Sequence, residues 1–460
     1  MKFRHQVLRV LPVILLVCGL LLAPAEAQFS QQAKLVGTGA AGIAGQGGSV
    51  SLSADGNTAI VGAPGDNNAM LNNTGAAWVF VRSRGTWSQQ GRKLVGTGAI
   101  GNADQGTSVS LSSSGNTAIV GGPFDNDDAG AAWVFERSDG VWRQQAKLVA
   151  AGTSFLFGDS VSLSGGGNTA IVGGPLDNGS VGAAWVFTRS HGVWSQQAKL
   201  VGTGVTGAFA TQGFSVSLSG DGNTAIVGGF NDNNDLGAAW VFARSHGVWT
   251  QRAKLVGTEA VGPANQGFSV SLSGDGDTAI VGGPLDNNEA GAAWVFTRSH
   301  GVWSQQAKLV GAGVVGAFQF QGISVALSGN GNAAFVGGFA DNNLTGATWV
   351  FTRSHGVWTQ QAKLIAAGAI GNAEQGYSVS ISDDGETAAV GGPFDNKGAG
   401  AAWIFVQQPV FAGTPGKANC HGQSVSALAK QYGGLNGAAA ALGFASVDAL
   451  QAAIQEFCVG

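Results

Sequence analysis

Most of the chain follows one cycle of polar and apolar positions. The cycle opens with five residues in strict alternation, as in Ser269 to Ser273 (SVSLS), which places Val270 and Leu272 on one face and the serines on the other. That period of two predicts a half-buried strand, here strand a. An apolar run follows (TAIVGG, Thr278 to Gly283), the pattern of a strand buried on both faces, strand b. AAWVFTR (Ala292 to Arg298) and VWSQQAKLV (Val302 to Val310) supply strands c and d. Gly-Asp-Gly-Asp separates a from b, and Arg-Ser-His-Gly separates c from d, with glycine available for positive φ.

Seven such units overlay on one another. Their strand-c tryptophans are Trp78, Trp133, Trp185, Trp240, Trp294, Trp349 and Trp403, spaced by 55, 52, 55, 54, 55 and 54 residues. A repeat of about 50 residues holding four strands is the signature of a propeller blade. The seventh unit stops after strand c (Ala401 to Val406), whereas Phe29 to Leu35 reads FSQQAKL, a strand d with Phe29 in the tryptophan slot. The first strand should therefore complete the last blade and close the ring, leaving no open edge there. The expected fold is all-β, a seven-bladed propeller closed by its N-terminal strand. All 13 tryptophans fall on strand c or strand d, where they are read as filler between blades rather than as a sugar-stacking surface.

Residues 1–27 read as a secretory signal: Lys2, Arg4 and Arg9, an apolar run from Leu11 to Leu22, then Ala25-Glu26-Ala27. Its apolar run is shorter than a bilayer span needs, so no membrane span is expected once the leader is removed. A mature chain from Gln28 would hold 20 basic and 26 acidic residues, a net charge of −6, which argues against nucleic acid as partner. It would also keep two cysteines, Cys420 and Cys458, and export to an oxidising compartment predicts a disulfide between them. The expected organisation is a signal peptide (1–27), the propeller (28–407), a Pro/Gly-rich linker (408–419) and a small helical module (420–460). Within that module, Val425, Leu428 and Tyr432 share one helical face. Val447, Leu450, Ile454 and Phe457 share another, with Ser446 as N-cap, and Leu435 to Leu442 would form a short helix between them.

The unit resembles the FG-GAP repeat of integrin alpha-chain propellers and their bacterial relatives. Phe157-Gly158-Asp159-Ser160-Val161 stands at the FG position and Gly62-Ala63-Pro64 at GAP, while the other copies carry QG and GGP or GGF. The likeness spans Phe29 to about Gln407. It implies the propeller fold, and a function as broad as a family holding adhesion receptors and lectin-like binders. The family's calcium site lies in the a-to-b turn and draws several acidic ligands from it. Here Asp55, Asp221, Asp275 and Asp384 each stand alone, and Ser114, Gly166 and Asn330 occupy the other turns. An Asx-type turn explains these residues without a metal, so no cofactor is expected, with Asp221, Asp275 and Asp384 the weak calcium candidates.

In such a ring the d-to-a and b-to-c loops share one face. Each b-to-c loop holds Asp-Asn, led by Asp66, Asp125, Asp177, Asp232, Asp286, Asp341 and Asp395. These aspartates either cap their own loops or form an acidic ring open to cations or sugar hydroxyls. From proline to glycine the first b-to-c loop runs 12 residues (Pro64 to Gly75) where the others run eight, and its insert brings Met70 and Leu71. The d-to-a loops carry unusual phenylalanines, Phe155 and Phe157, Phe209, and Phe318 and Phe320, which as exposed aromatics would form an interaction patch.

No catalytic set is legible. The propeller's histidines (His191, His246, His300, His355) sit on separate blades, too far apart to share a metal ion within about 2 Å. A carboxylate-dependent hydrolase or lyase would need two carboxylates at unequal depth on the axis. The sequence thus predicts a secreted, extracellular or periplasmic, non-enzymatic propeller that binds a protein or cell-surface partner through its loop face. A carbohydrate-binding lectin is the second reading.

Overall fold

The structure is a computed structural model that describes residues 29–66, 73–152, 154–408, 411, 413, 416–442 and 444–459. The leader, Met70 and Leu71 lie outside the described residues. Seven four-stranded antiparallel sheets are arranged as blades. In the fifth, Ser269–Leu272, Thr278–Gly283, Ala292–Ser299 and Val302–Leu309 pair in sequence order.

The last blade is closed as its sequence requires. Phe29–Leu35 pairs with Ala401–Gln407, with Phe29 opposite Gln407 and Leu35 opposite Ala402. A register shift falls between Gln31 and Ala33, matching the irregularity found in strand d of blades two to six. The extra residue of such a bulge re-aims one side chain. Here that residue is a glutamine reaching the next blade: Gln32 Oε1 accepts from Trp87 Nε1 at 2.8 Å, Gln145 from Trp194 at 2.8 Å and Gln306 from Trp358 at 2.8 Å. Position 252 is arginine instead, and Trp303 Nε1 has no hydrogen-bond partner among the described residues.

The core lies between blades. Ile226, Ala239, Val241 and Leu255 of blade four pack with Val270, Leu272, Val281, Trp294 and Phe296 of blade five, and each blade pair repeats the layer. All seven strand-c tryptophans are 0% exposed. At about 25 cal/mol per Å² of apolar surface removed from water, each such ring contributes a few kcal/mol to holding neighbouring blades together. The strand-d tryptophans sit nearer the rim, beneath arginines such as Arg244 over Trp249 at 5.3 Å. Phe29, which lacks an indole, packs edge-on against Phe335 of blade six at 5.5 Å.

Strands a line the axis and are stitched by serine. Leu111 N donates to Ser51 Oγ, Leu163 N to Ser110 Oγ, and across the closure Leu52 N donates to Ser380 Oγ, each at 3.0 Å. The a-to-b turns form a second circle made of backbone alone. Ala54, Ser113, Gly165, Gly220, Gly274, Gly329 and Asp383 each donate N–H to the carbonyl of the next, and Asp383 returns to Ala54 at 2.9 Å. This belt draws the turn-side end of the axis tight.

Both ends of the ring leave from that turn side, since Phe29 and Gln407 are paired there. Helices Cys420–Gln431, Leu435–Ala441 and Val447–Val459 form the C-terminal module around buried Leu428, Leu450 and Ile454. Ser446 caps the last helix by accepting Ala449 N at 3.1 Å, and Cys420 is bonded to Cys458. Tyr432 Oη donates to Glu386 in the a-to-b turn of blade seven at 3.3 Å, which ties the module to the turn face. Among the described residues no helix is long and apolar enough to cross a membrane.

Candidate binding face

The d-to-a and b-to-c loops do share a face, because parallel bridges such as Gly182 with Gln212 and Gly237 with Gln266 join each b-to-c loop to the lead-in of the next blade. The glutamine of QG shapes that lead-in. Gln266 Oε1 accepts Gly257 N at 2.5 Å while its Nε2 donates to Gly257 O at 3.0 Å, closing the loop like a backbone pair. Gly257 lies against Trp294, where a Cβ would stand 2.2 Å from Cδ1. In blade three Phe157 replaces this glutamine, and it is fully buried against Trp185 and Phe187.

The aspartate ring is structural. Asp66, Asp125, Asp177, Asp232, Asp286, Asp341 and Asp395 are all buried, and each is ion-paired with the strand-d lysine of its own blade, as Asp286 with Lys308 at 2.7 Å and Asp341 with Lys363 at 2.6 Å. In Asp66, Asp125, Asp232, Asp286, Asp341 and Asp395 the other oxygen accepts a lead-in N–H group, Val261 N to Asp286 at 2.7 Å for example. Such carboxylates are neither exposed nor uncompensated, so they do not form the open acidic surface that was the alternative reading. Burying a carboxylate demands this pairing.

The a-to-b turns likewise use their own carboxylates. Asp221 Oδ1 accepts Ser219 Oγ at 2.6 Å and Asn223 N at 2.9 Å, while Asp275 accepts Ser273 Oγ and Asp277 N, and Asp384 accepts Ser382 Oγ and Glu386 N. For Asp221 burial pulls the pKa upward, but the hydrogen bonds from Ser219 and Asn223 and the Arg244 charge outweigh it, leaving the carboxyl below its ordinary range. Among the described residues no three His, Cys, Asp or Glu side chains are grouped to hold a metal ion.

Phenylalanines do gather on the loop face, though only one of the expected set takes part. Phe155, Phe209 and Phe318 are 53%, 58% and 53% exposed, and none contributes to an aromatic pair among the described residues. Phe320 instead stacks on Phe339 at 5.0 Å, and Phe339 reaches Tyr377 at 6.2 Å. Beside them Phe214, Phe230 and Phe268 make a triangle with centroids 4.7, 4.7 and 5.4 Å apart. Two positions of the repeat generate this cluster. The residue before strand a is Gly48, Thr107, Asp159, Phe214, Phe268, Ile323 and Tyr377 in blades one to seven, so one half of the axial mouth is small and polar and the other apolar. The proline of GGP becomes Phe230 in blade four and Phe339 in blade six. Both departures are visible in the sequence as GF, GY and GGF.

Two adjoining cavities result. One, of about 390 Å³, lies on the axis above strand a and is lined by all seven blades. Asp159 is the one carboxylate among its described lining residues, and burial pushes it up to about 7. Burial raises Tyr377 as well, reinforced by the charges of Glu374 and Asp159. The other cavity, of about 430 Å³, opens between blades four and six. Phe230, Pro263, Phe268, Pro284, Leu285, Phe320, Ile323 and Phe339 form its apolar wall, with Asn231, Asp235 and Asn265 as its polar groups. It exists because blade five keeps the short Pro284 between two blades that carry phenylalanine. A hydrolytic pair of carboxylates is not assembled on the axis, where the described lining offers Asp159 and seryl hydroxyls.

A model of the FG-GAP repeat family matches residues 29–80, 142–187, 249–296 and 358–405. Each match begins on a strand d and runs through strand c of the following blade, so the sequence repeat is offset from the blade by one strand, as the N-terminal closure requires. No curated protein matches the chain. With the repeat matched four times and the ring closed at seven blades, the chain carries FG-GAP repeats and its fold fits an FG-GAP repeat β-propeller like the N-terminal domain of integrin alpha chains.

Proposed function

We propose that the protein is an exported, non-enzymatic binding propeller that recognises a protein partner through its d-to-a and b-to-c loop face. The observation that carries this reading is the aromatic cluster of blades four to seven. Phe230, Phe268, Phe320 and Phe339 break a near-uniform repeat on one side of one face and surround a cavity there. A scaffold has no need of those departures, since blades with proline at the same position form the same sheets. Partly exposed aromatics around a cavity are typical of interaction hot spots. Both ends of the ring and the helical module lie on the opposite side, so neither covers this face. Export is supported by the signal-like leader and by the disulfide of the module.

The test compares the mature chain with a variant returned to the repeat consensus, Phe230→Pro with Phe339→Pro. Surface-labelled proteins captured by crosslinking to the wild type and lost with the variant are the expected result. Equal capture by both, or selective binding on a glycan array instead, sinks the reading.

A further inference from the structure

We propose that the cavity between blades four and six takes one aromatic side chain carrying a hydrogen-bond donor, a tryptophan or tyrosine, from a basic segment of a protein partner. This rests on the reading of the loop face above and names the chemistry recognised there. The apolar wall selects a ring: Phe230 and Phe268 stand on one side, Phe320 and Phe339 on the other, and Leu285 and Ile323 complete it. Aromatic rings favour edge-on and offset contacts with one another, and the wall offers both faces and edges.

Asn265 selects the donor. It is 5% exposed, its Nδ2 donates to Phe230 O at 3.3 Å, and its Oδ1 is buried with no hydrogen-bond partner among the described residues. The carbonyl of Phe230 can only accept, which fixes the amide with its oxygen as the unsatisfied atom. A buried acceptor left unpaired is costly, so a ligand that donates to it gains over one that does not. An indole N–H or a phenolic O–H is such a donor on an otherwise apolar ring. Two amides and one carboxylate on an otherwise apolar wall suit one donor-bearing ring better than the several hydroxyls of a sugar.

Charge selects the flanks. Asp235 is exposed at the cavity, and the same face carries Asp127, Asp128, Glu259, Glu289 and Glu374. The strand-d lysines do not balance them, because they are held by the buried aspartates, and Lys397 in the b-to-c loop of blade seven is a single cation against these acids. Lysine or arginine next to the aromatic residue of the partner is therefore favoured by this face.

The experiment titrates the full mature chain with blocked pentapeptides by ligand-observed NMR and calorimetry, using Gly-Lys-Trp-Lys-Gly and its versions with Tyr, Phe or Ala at the centre or Glu at the flanks. The Trp and Tyr peptides should bind about tenfold more tightly than the Phe peptide, the size expected for pairing a buried acceptor. The Ala peptide should be weaker still, and Glu flanks should weaken binding in a salt-dependent way. Asn265→Leu should abolish the preference for Trp and Tyr over Phe while keeping ring binding. Leucine is tolerated in that backbone, since Leu156 holds the equivalent place at φ 55° where Asn265 has 54°. Asp235→Lys, at an exposed position, should reverse the preference for basic flanks. Equal binding of the Trp and Ala peptides, a preference unchanged by Asn265→Leu, or no binding by any peptide overturns the proposal. Peptide failure alongside capture that depends on Phe230 and Phe339 overturns this inference alone, whereas capture independent of those two residues removes the broader reading.

Discussion

Lys34 Nζ lies 2.7 Å from Asp395 Oδ2, so the first strand of the chain neutralises a carboxylate in its last b-to-c loop. The same lysine donates to Gly368 O at 2.7 Å and lies 5.2 Å above the Trp403 ring. Ring closure is thus chemical as well as topological. Lys34→Ala leaves Asp395 buried and uncompensated, and should cost about 3 kcal/mol in guanidinium unfolding. Deleting Phe29 to Leu35 should cost more, because it also strips strand c of the last blade. A deletion as heat-resistant as the intact chain would disprove closure as the source of stability.

Gly257 illustrates how the lead-in loops are coupled to the tryptophan layer. Its neighbour Trp294 is fully buried and bonded from Nε1 to Thr258 O at 2.8 Å. Ala366 and Ala150 hold the equivalent place beside Trp403, whose bond to Ala367 O is 3.2 Å, and Trp185, whose Nε1 has no partner among the described residues. An added methyl therefore displaces the indole and loosens its bond to Thr258. Gly257→Ala should destabilise by about 1 kcal/mol, the worth of the indole hydrogen bond it loosens. Gln266→Ala, which releases both ends of the amide clip, should cost about 2 kcal/mol. Equilibrium denaturation of the two variants checks both, and a loss of about 3 kcal/mol or more for Gly257→Ala would show that blade five, unlike blades three and seven, cannot accommodate the methyl.

The ring was legible because it is written seven times: alternation in SVSLS, the tryptophan spacing and the displaced FSQQAKL state the blade and its closure without tertiary information. The Ser446 cap was legible locally, and the disulfide because an exported mature chain would keep just these two cysteines. The binding face was harder. Asp286 and its six counterparts look like surface acids in sequence, and only three dimensions bring Lys308 from strand d beneath the loop. Phe155, Phe209 and Phe318 were conspicuous as aromatics in polar loops, yet they point to solvent separately. Phe230 and Phe339 were hidden inside a motif, differing from their counterparts only by replacing proline. Their significance depends on blade five standing between them, a relation between residues more than a hundred positions apart.

Reduction of the Cys420 to Cys458 bond should act on the module alone. The three helices bury a small core, with Leu428, Ala438, Leu450 and Ile454 at its centre. A cross-link over 38 residues is worth about 3 to 4 kcal/mol by loop entropy, comparable to all that so small a core supplies. Cys420→Ser with Cys458→Ser should lose the helical circular-dichroism signal at moderate temperature while the main β transition keeps its midpoint. A shift of that transition by several degrees would mean that Tyr432 and Glu386 transmit the module's stability to the ring.

Asp159 makes the axial cup sensitive to pH. Burial lifts its carboxyl from the ordinary value of 3.8 to about 7. Between those two values the folded chain holds a proton that the unfolded chain has released. Its contribution therefore favours folding most at low pH and weakens as pH climbs from about 4 to about 7, above which the penalty of a charged Asp159 is constant. The cup is open to water on the loop side, so about 1 to 2 kcal/mol is expected rather than the full linkage value. Asp159→Asn should accordingly gain that amount over wild type at pH 8 and little at pH 4, measured as the difference between two denaturant midpoints at each pH so that all other groups cancel. If the difference were the same at both pH values, the carboxyl would be titrating in its ordinary range and the polar half of the cup would be fully hydrated.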